Sequence, residues 1–302
     1  MPDATRTARF SGILVPVTTP FDPVTGEIAP VSFRENLRRW IDAGVDGIVL
    51  FGTNGEGKLV DAEEKRRLID YARDVVPSDV PIVAGAGAES TRATIAEVRK
   101  LGDAGVDAVL VSAPPYFGSI LSPAALRDHF TAIADASPVP VILYHIPKYT
   151  HVTLEAGLVG ELARHPNVAG IKDSSGDLKR FADYSDACGG ACSLLVGSGA
   201  ILYPALELGA AGGIVALGLL APELALRIHR HFLAGETREA GAIQTRLAPV
   251  HREVVARFGP PGTKAALDAL GFFGGPPRPP LAPLSEKERR QVVQVLQAAE
   301  LV

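Results

Sequence analysis

Asp42-Ala43-Gly44-Val45-Asp46-Gly47-Ile48-Val49-Leu50 recurs further along the chain as Asp103-Ala104-Gly105-Val106-Asp107-Ala108-Val109-Leu110. Each copy ends a helix at a glycine and passes within three residues into an apolar run, so each reads as a helix-to-strand joint. A looser third copy is Leu208-Gly209-Ala210-Ala211-Gly212-Gly213-Ile214-Val215-Ala216-Leu217. Two joints about 60 residues apart leave room for two βα units of about 30 residues each.

Working outward at that rhythm gives eight short apolar runs: Ile13–Val17, Ile48–Phe51, Ile82–Ala84, Ala108–Val111, Val141–Tyr144, Val168–Ile171, Leu194–Val196 and Ile214–Leu217. Each is apolar on both faces, as a buried parallel strand must be, and amphipathic segments separate most of them. Ala62–Val75 is one such helix, with Asp61 placed to cap it, and Thr91–Leu101 is another, preceded by Ser90. Eight alternating units without a long interruption favour a closed (β/α)8 TIM barrel of the α/β class over an open doubly wound sheet. The barrel is expected to carry the active site and to occupy residues 1–233. Residues 234–302 then form a C-terminal helical region, with helices over 236–257 and 285–299. Gly274-Gly275-Pro276-Pro277-Arg278-Pro279-Pro280 is a stiff connector between them.

Composition narrows the function. The chain is 47% hydrophobic and 21% charged, with a net charge of −4, so it offers no basic field for nucleic acid. No run approaches the roughly 18 apolar residues of a membrane span. The first ten residues carry Arg6 and Arg9 but no apolar core, so they read as a short tail and not as a secretory signal, which points to the cytoplasm. Cys188 and Cys192 read as two reduced thiols. The seven histidines form no metal motif and read as surface or packing residues.

In such a barrel the reactive groups stand at the C-terminal ends of the strands. Four runs therefore face one mouth: Gly52-Thr53-Asn54-Gly55-Glu56-Gly57, Pro114-Pro115-Tyr116-Phe117, Tyr144-His145-Ile146-Pro147 and Lys172-Asp173-Ser174-Ser175-Gly176. Lys172 follows directly on Val168-Ala169-Gly170-Ile171, so its stem begins inside the barrel. An ordinary lysine, with a pKa of about 10.4, has almost no neutral amine at neutral pH. Burial in an apolar mouth disfavours the charged form, and the neutral amine can attack a ketone to give an imine. The competing reading is a structural lysine paired with Asp173 or another carboxylate. Tyr144 ends the neighbouring strand, where a phenol can relay protons; otherwise it is a core tyrosine. The glycine-rich run after the second strand can form an anion-binding turn suited to a carboxylate. It is not a P-loop, because Leu59 follows Lys58 where Ser or Thr is required.

These residues resemble the pyruvate-dependent class I aldolases related to dihydrodipicolinate synthase and N-acetylneuraminate lyase. The resemblance covers nearly the whole chain. It is carried by Val15-Pro16-Val17-Thr18-Thr19-Pro20-Phe21, Gly52-Thr53-Asn54-Gly55-Glu56, Tyr144-His145-Ile146-Pro147 and Gly170-Ile171-Lys172-Asp173. It implies that Lys172 is the Schiff-base lysine, Tyr144 the proton-relaying phenol and Thr53 with Asn54 the carboxylate-binding pair. It further implies that Tyr116 lies near a subunit boundary as part of the catalytic set, and that the backbone around Gly213 and Ile214 lines the pyruvyl pocket. The implied protein is a metal-free homo-oligomer, a tetramer or dimer, that acts on a small 2-oxo acid and needs no cofactor.

Two departures bear on the substrate. Dihydrodipicolinate synthase has an arginine in the segment after its Tyr-x-x-Pro, where this chain has Tyr149, and two threonines where this chain has Thr53-Asn54. Asn54, Ser174 and the run Arg257-Phe258-Gly259-Pro260-Pro261-Gly262, with Gly271-Phe272-Phe273-Gly274-Gly275-Pro276-Pro277-Arg278, look more like 4-hydroxy-2-oxoglutarate aldolase. The expected reaction is therefore cleavage or formation of a C–C bond in a 4-hydroxy-2-oxo acid, including 2-keto-3-deoxy sugar acids. Condensation of pyruvate with aspartate semialdehyde is the alternative, and a non-catalytic barrel that binds a 2-oxo acid is the alternative of another class.

Overall fold

The computed structural model describes residues 10–302; the tail through residue 9 lies outside the described residues. Eight parallel strands close into one barrel in sequence order. They are β1 (Gly12–Pro16), β2 (Gly47–Leu50), β3 (Ile82–Ala86), β4 (Ala108–Ser112), β5 (Val141–His145), β6 (Val168–Asp173), β7 (Ser193–Val196) and β8 (Gly212–Ile214). Helices between consecutive strands pack outside. The TIM-barrel architecture and the C-terminal helices match the expectation.

The repeated motif has a physical basis at both joints. Gly44 and Gly105 end their helices at φ 85° and 92°, in the left-handed region that a glycine enters without strain. The following aspartates then tie adjacent strands together. Asp46 accepts the N–H of Ile13 at 2.7 Å and Asp107 that of Ile82 at 2.8 Å, so each carboxylate holds the start of the preceding parallel strand.

Strand alternation divides the core in two. Ile13, Val15, Ile48, Leu50, Val109 and Val111 face outward against the helices. Phe10, Leu14, Val49, Val83, Leu110, Ile142, Leu195 and Ile214 fill the barrel interior. Phe10 is therefore part of the barrel floor, 1% exposed, and not of a tail. The same alternation sends Tyr144 inward and His145 outward.

Three local expectations are corrected. The last strand is Gly212–Ile214, earlier and shorter than Ile214–Leu217. Ala216 already has helical dihedrals, and Leu217–Leu220 forms a buried helical turn. A short apolar run does not by its composition distinguish a strand from such a turn. The helix expected over 236–257 is Thr237–Val250, continued by a π-helical turn at His251–Ala256. Beyond it the chain is helical to Ala269, across a break at Gly259 (φ 62°, ψ −145°). Pro260 and Pro261 restart the helix at its first turn, where a missing N–H costs nothing. The last helix, Glu286–Ala298, begins with a capping box of Ser285 and Glu288.

Candidate active site

The pairing of β5 with β6 brings the two key side chains together. Val141 pairs with Val168, but Ile142 pairs with Gly170, so Ala169 is an extra residue and the register shifts by one. A bulge of this kind re-aims every residue that follows it. Tyr144 thereby lies opposite Lys172, and both point into the barrel mouth. Lys172 is 4% exposed and Tyr144 7%. The Lys172 Nζ stands 4.2 Å from the centre of the Tyr144 ring.

Asp173 faces the other way. It binds the Nδ1 of His145 at 2.7 Å and accepts from Ser175 through the backbone N–H at 3.0 Å and the hydroxyl at 2.8 Å. It is thus committed behind the barrel wall, and among the described residues no carboxylate pairs with Lys172. The reading of Lys172 as a structural lysine salt-bridged to Asp173 does not fit this geometry.

The turn after β2 reaches across the mouth. Its amides fold back on themselves, Glu56 N–H to the Thr53 carbonyl and Gly57 N–H to that of Gly52, which leaves Thr53 and Asn54 at the crest. The Thr53 hydroxyl lies 3.3 Å from that of Tyr144. The turn is held from the C-terminal helices at two successive residues. Thr263 donates to Asn54 Oδ1 at 3.2 Å, and Lys264 pairs with Glu56 at 2.5 Å. The Lys264 and Glu56 side chains are 1% and 0% exposed. Burial pulls the Lys264 pKa below its ordinary value, and Glu56 opposes that shift. Arg278 completes the clamp, donating its N–H to Glu56 at 2.7 Å and its guanidinium to both oxygens of Glu64.

Lys172, Tyr144, Thr53, Asn54, Ser174 and Ile214 all line one cavity of about 110 Å³. Gly213 sits in β8 opposite Val196, buried, but not on the cavity wall. Tyr116 is not brought to the site. It is 80% exposed, packs edge-on against Phe117 with ring centres 4.9 Å apart, and lines neither this cavity nor its outer chamber. That outer chamber, about 460 Å³, shares Thr53, Tyr144, Ile146, Lys148, Tyr149 and Gly259 with the inner cavity.

Residues beyond 233 complete the site: His251, Val255, Ala256 and Gly259 close the cavity from above. The π-helical turn accounts for this grouping, since its wider spacing brings positions five apart onto one side. His251 is thus a cavity residue and not a surface or packing histidine. Its Nδ1 accepts the Gly199 N–H at 3.2 Å, and its Nε2 lies 3.3 Å from the Ser198 hydroxyl. Burial, with Arg252 and Lys148 nearby, pulls its pKa down to about 4. Tyr149 stands at the rim, where burial and the proximity of Tyr144 raise its pKa, so its phenol is protonated at neutral pH. Ser198 and His251 carry no sequence signal, because neither belongs to a motif and a π-turn leaves no compositional trace.

Cys188 and Cys192 are free, with sulfurs 4.0 Å apart, away from the cavity. Among the described residues no group of three or more His, Cys, Asp or Glu could hold a metal ion, and no helix is long and apolar enough to cross a membrane.

The dihydrodipicolinate synthetase family model matches residues 9–299. A 4-hydroxy-tetrahydrodipicolinate synthase of Methanopyrus kandleri is 33% identical over 294 residues, covering 97% of this chain and 96% of its own. An uncharacterised DapA-like lyase of Halobacterium salinarum is 36% identical over 269 residues, covering 88% of this chain and 86% of its own. Among solved structures, a chloride-inhibited dihydrodipicolinate synthase from Acinetobacter baumannii, complexed with pyruvate, superposes with a TM-score of 0.92 at 30% identity, covering 97% of this chain and 99% of its own.

Proposed function

The chain belongs to the dihydrodipicolinate synthetase family of class I aldolases and is a carbon–carbon lyase, and from that premise we propose that it cleaves or forms 4-hydroxy-2-oxo acids through an imine on Lys172. The observation that carries the proposal is the pairing of a buried Lys172, with no carboxylate partner among the described residues, with the Tyr144 ring, its centre 4.2 Å from the amine, in one cavity at the barrel mouth. The amine adds to the C2 ketone and, after loss of water, leaves a protonated imine. The C3–C4 bond then breaks, its electron pair moves into the imine to give an enamine, and Tyr144 takes the proton of the C4 hydroxyl as the aldehyde forms. Thr53 at 3.3 Å is the partner through which the phenol regains its working protonation state. Protonation of the enamine carbon and hydrolysis release the 2-oxo acid. Thr53 and Asn54 at the crest of the β2 turn are placed to receive its carboxylate. The imine is itself the electron sink, so this chemistry calls for neither a metal nor a cofactor.

A second reading, condensation of pyruvate with aspartate semialdehyde, is favoured by the activity for which the M. kandleri relative is named. Tyr149, a neutral phenol at the rim where that enzyme class has an arginine, speaks against it. A panel of 4-hydroxy-2-oxo acids assayed for release of pyruvate or glyoxylate, alongside pyruvate with aspartate semialdehyde, separates the two. The proposal expects turnover of the hydroxy-oxo acids to exceed semialdehyde condensation; the reverse order overturns it.

A further inference from the structure

The far wall of the inner cavity holds a serine and a histidine that the aldol chemistry above does not use. Ser198 lies two residues past the end of β7, on the flank of Lys172 opposite Tyr144. It is 8% exposed. His251 reaches it from the π-helical turn.

The proton inventory of this pair is determinate. Nδ1 of His251 accepts the Gly199 N–H and so carries no proton. The neutral ring therefore holds its hydrogen on Nε2, which donates to Ser198 Oγ at 3.3 Å. This polarity is the reverse of a nucleophilic serine, whose hydroxyl would have to donate to the imidazole. Ser198 Oγ, having accepted from the ring, keeps its own hydrogen. Among the described residues that hydroxyl has no other partner, and it faces the cavity.

The wall around it is uncharged. Ser174, Ser198, His251, Val255 and Ala256 carry no net charge there. Apart from Lys172, the lysine on this cavity is Lys148, whose ammonium is anchored to the Ala256 carbonyl at 2.7 Å out at the rim. Arg257 lines only the outer chamber and leans on Glu253. A second carboxylate pushed against this wall would lose its hydration and gain only the solvent-screened field of the exposed Lys148 and Arg252, the two cations that act on His251, whereas an alcohol would find a fixed donor.

We infer that Ser198, oriented by His251, contacts the substrate and selects 4-hydroxy-2-oxo acids whose distal end carries an uncharged hydroxyl, as a deoxy sugar acid does, over those ending in carboxylate. The inference rests on the reading of Lys172 as the imine-forming residue. Ser198 makes the contact, and His251 is a positioning residue that acts through it.

Three substrates test this: a 4-hydroxy-2-oxo acid ending in a primary alcohol, its analogue ending in methyl, and its analogue ending in carboxylate. In the parent protein kcat/KM should favour the alcohol over the methyl analogue by about tenfold or more, the range of one well-made hydrogen bond, and the carboxylate should be poorest. Ser198→Ala should bring the alcohol-to-methyl ratio near one. His251→Leu, which removes both donor and acceptor, should do the same, while His251→Gln, which retains one of each, should keep most of the preference. An unchanged ratio in Ser198→Ala, or a parent preference for carboxylate, overturns the inference. Borohydride trapping of pyruvate on Lys172 distinguishes the two failures: if trapping persists in Ser198→Ala while the ratios do not move, only this inference falls, and if the parent does not trap, the imine reading falls with it.

Discussion

Lys264→Met removes one member of the buried pair that holds the β2 turn. Glu56 would keep the Arg278 N–H at 2.7 Å but lose its counter-ion at a site with no exposure. Breaking a buried pair from one side costs about 3–5 kcal/mol, because the remaining charge stays desolvated. An unfolding entropy of about 2.1 cal/mol/K per residue gives this 302-residue chain about 0.6 kcal/mol per degree. The expected fall in Tm is therefore about 5–8 °C by calorimetry. Lys264→Met/Glu56→Gln should recover most of it, since a neutral pair needs no counter-charge and the glutamine still accepts from Arg278. The double-mutant cycle should show a coupling of about 2 kcal/mol or more. Because Thr53 rides on the same turn, the single variant should also lose kcat/KM, and the double variant should regain part of it. A Lys264→Met protein as stable as the parent, or a cycle with no coupling, would refute the reasoning: the pair would then be a bystander to the turn.

Tyr144→Phe should leave imine formation intact and slow turnover by roughly 10²- to 10⁴-fold, measured as a drop in kcat with trapping preserved; loss of trapping instead would move Tyr144 from proton transfer to structure. His251, with a folded pKa of about 4 against an ordinary 6.5, makes the unfolded chain the better proton acceptor. Stability should therefore fall as pH drops from about 6.5 to about 4, by at most about 3 kcal/mol from this group. His251→Gln should flatten that slope in urea unfolding, and an unaltered slope would contradict the assignment. The exposed cluster of Tyr116, Phe117 and Ile120 is expected to be covered in a homo-oligomer, so sedimentation should show a dimer or tetramer that Tyr116→Asp weakens; a parent monomer at micromolar concentration would remove that idea.

Much of this molecule was legible in its sequence because barrel strands are buried on both faces and so stand out as short apolar runs at a regular spacing. Seven of the eight strands fall where those runs lie. The eighth does not, because Val215-Ala216-Leu217 is equally apolar as a helical turn. That Lys172, Tyr144, Thr53 and Asn54 meet at the barrel mouth is legible because each stands at or just past the C-terminal end of a strand. The bulge at Ala169 is not legible, since nothing in Val168-Ala169-Gly170 announces an extra residue, yet it is what sets Tyr144 beside Lys172. The clamp of Thr263 and Lys264 and the Ser198–His251 wall were hidden for a different reason. Their partners meet only after the C-terminal helices fold back over the mouth, and the dihedrals of Gly259 and the π-turn that permit this have no periodic signature. Tyr116, placed at the end of β4 by the same strand-end reasoning, lies four residues past that strand and is 80% exposed, away from the cavity.

The imine on Lys172 is the claim from which the rest follows. Borohydride added with pyruvate should convert it to a stable secondary amine, and peptide mass analysis should find the reduced three-carbon adduct on the peptide bearing Lys172 and on no other lysine. Lys172→Arg, whose guanidinium stays protonated, should fold normally and show neither adduct nor turnover. An adduct on a different lysine, or wild-type turnover by the arginine variant, would contradict the account.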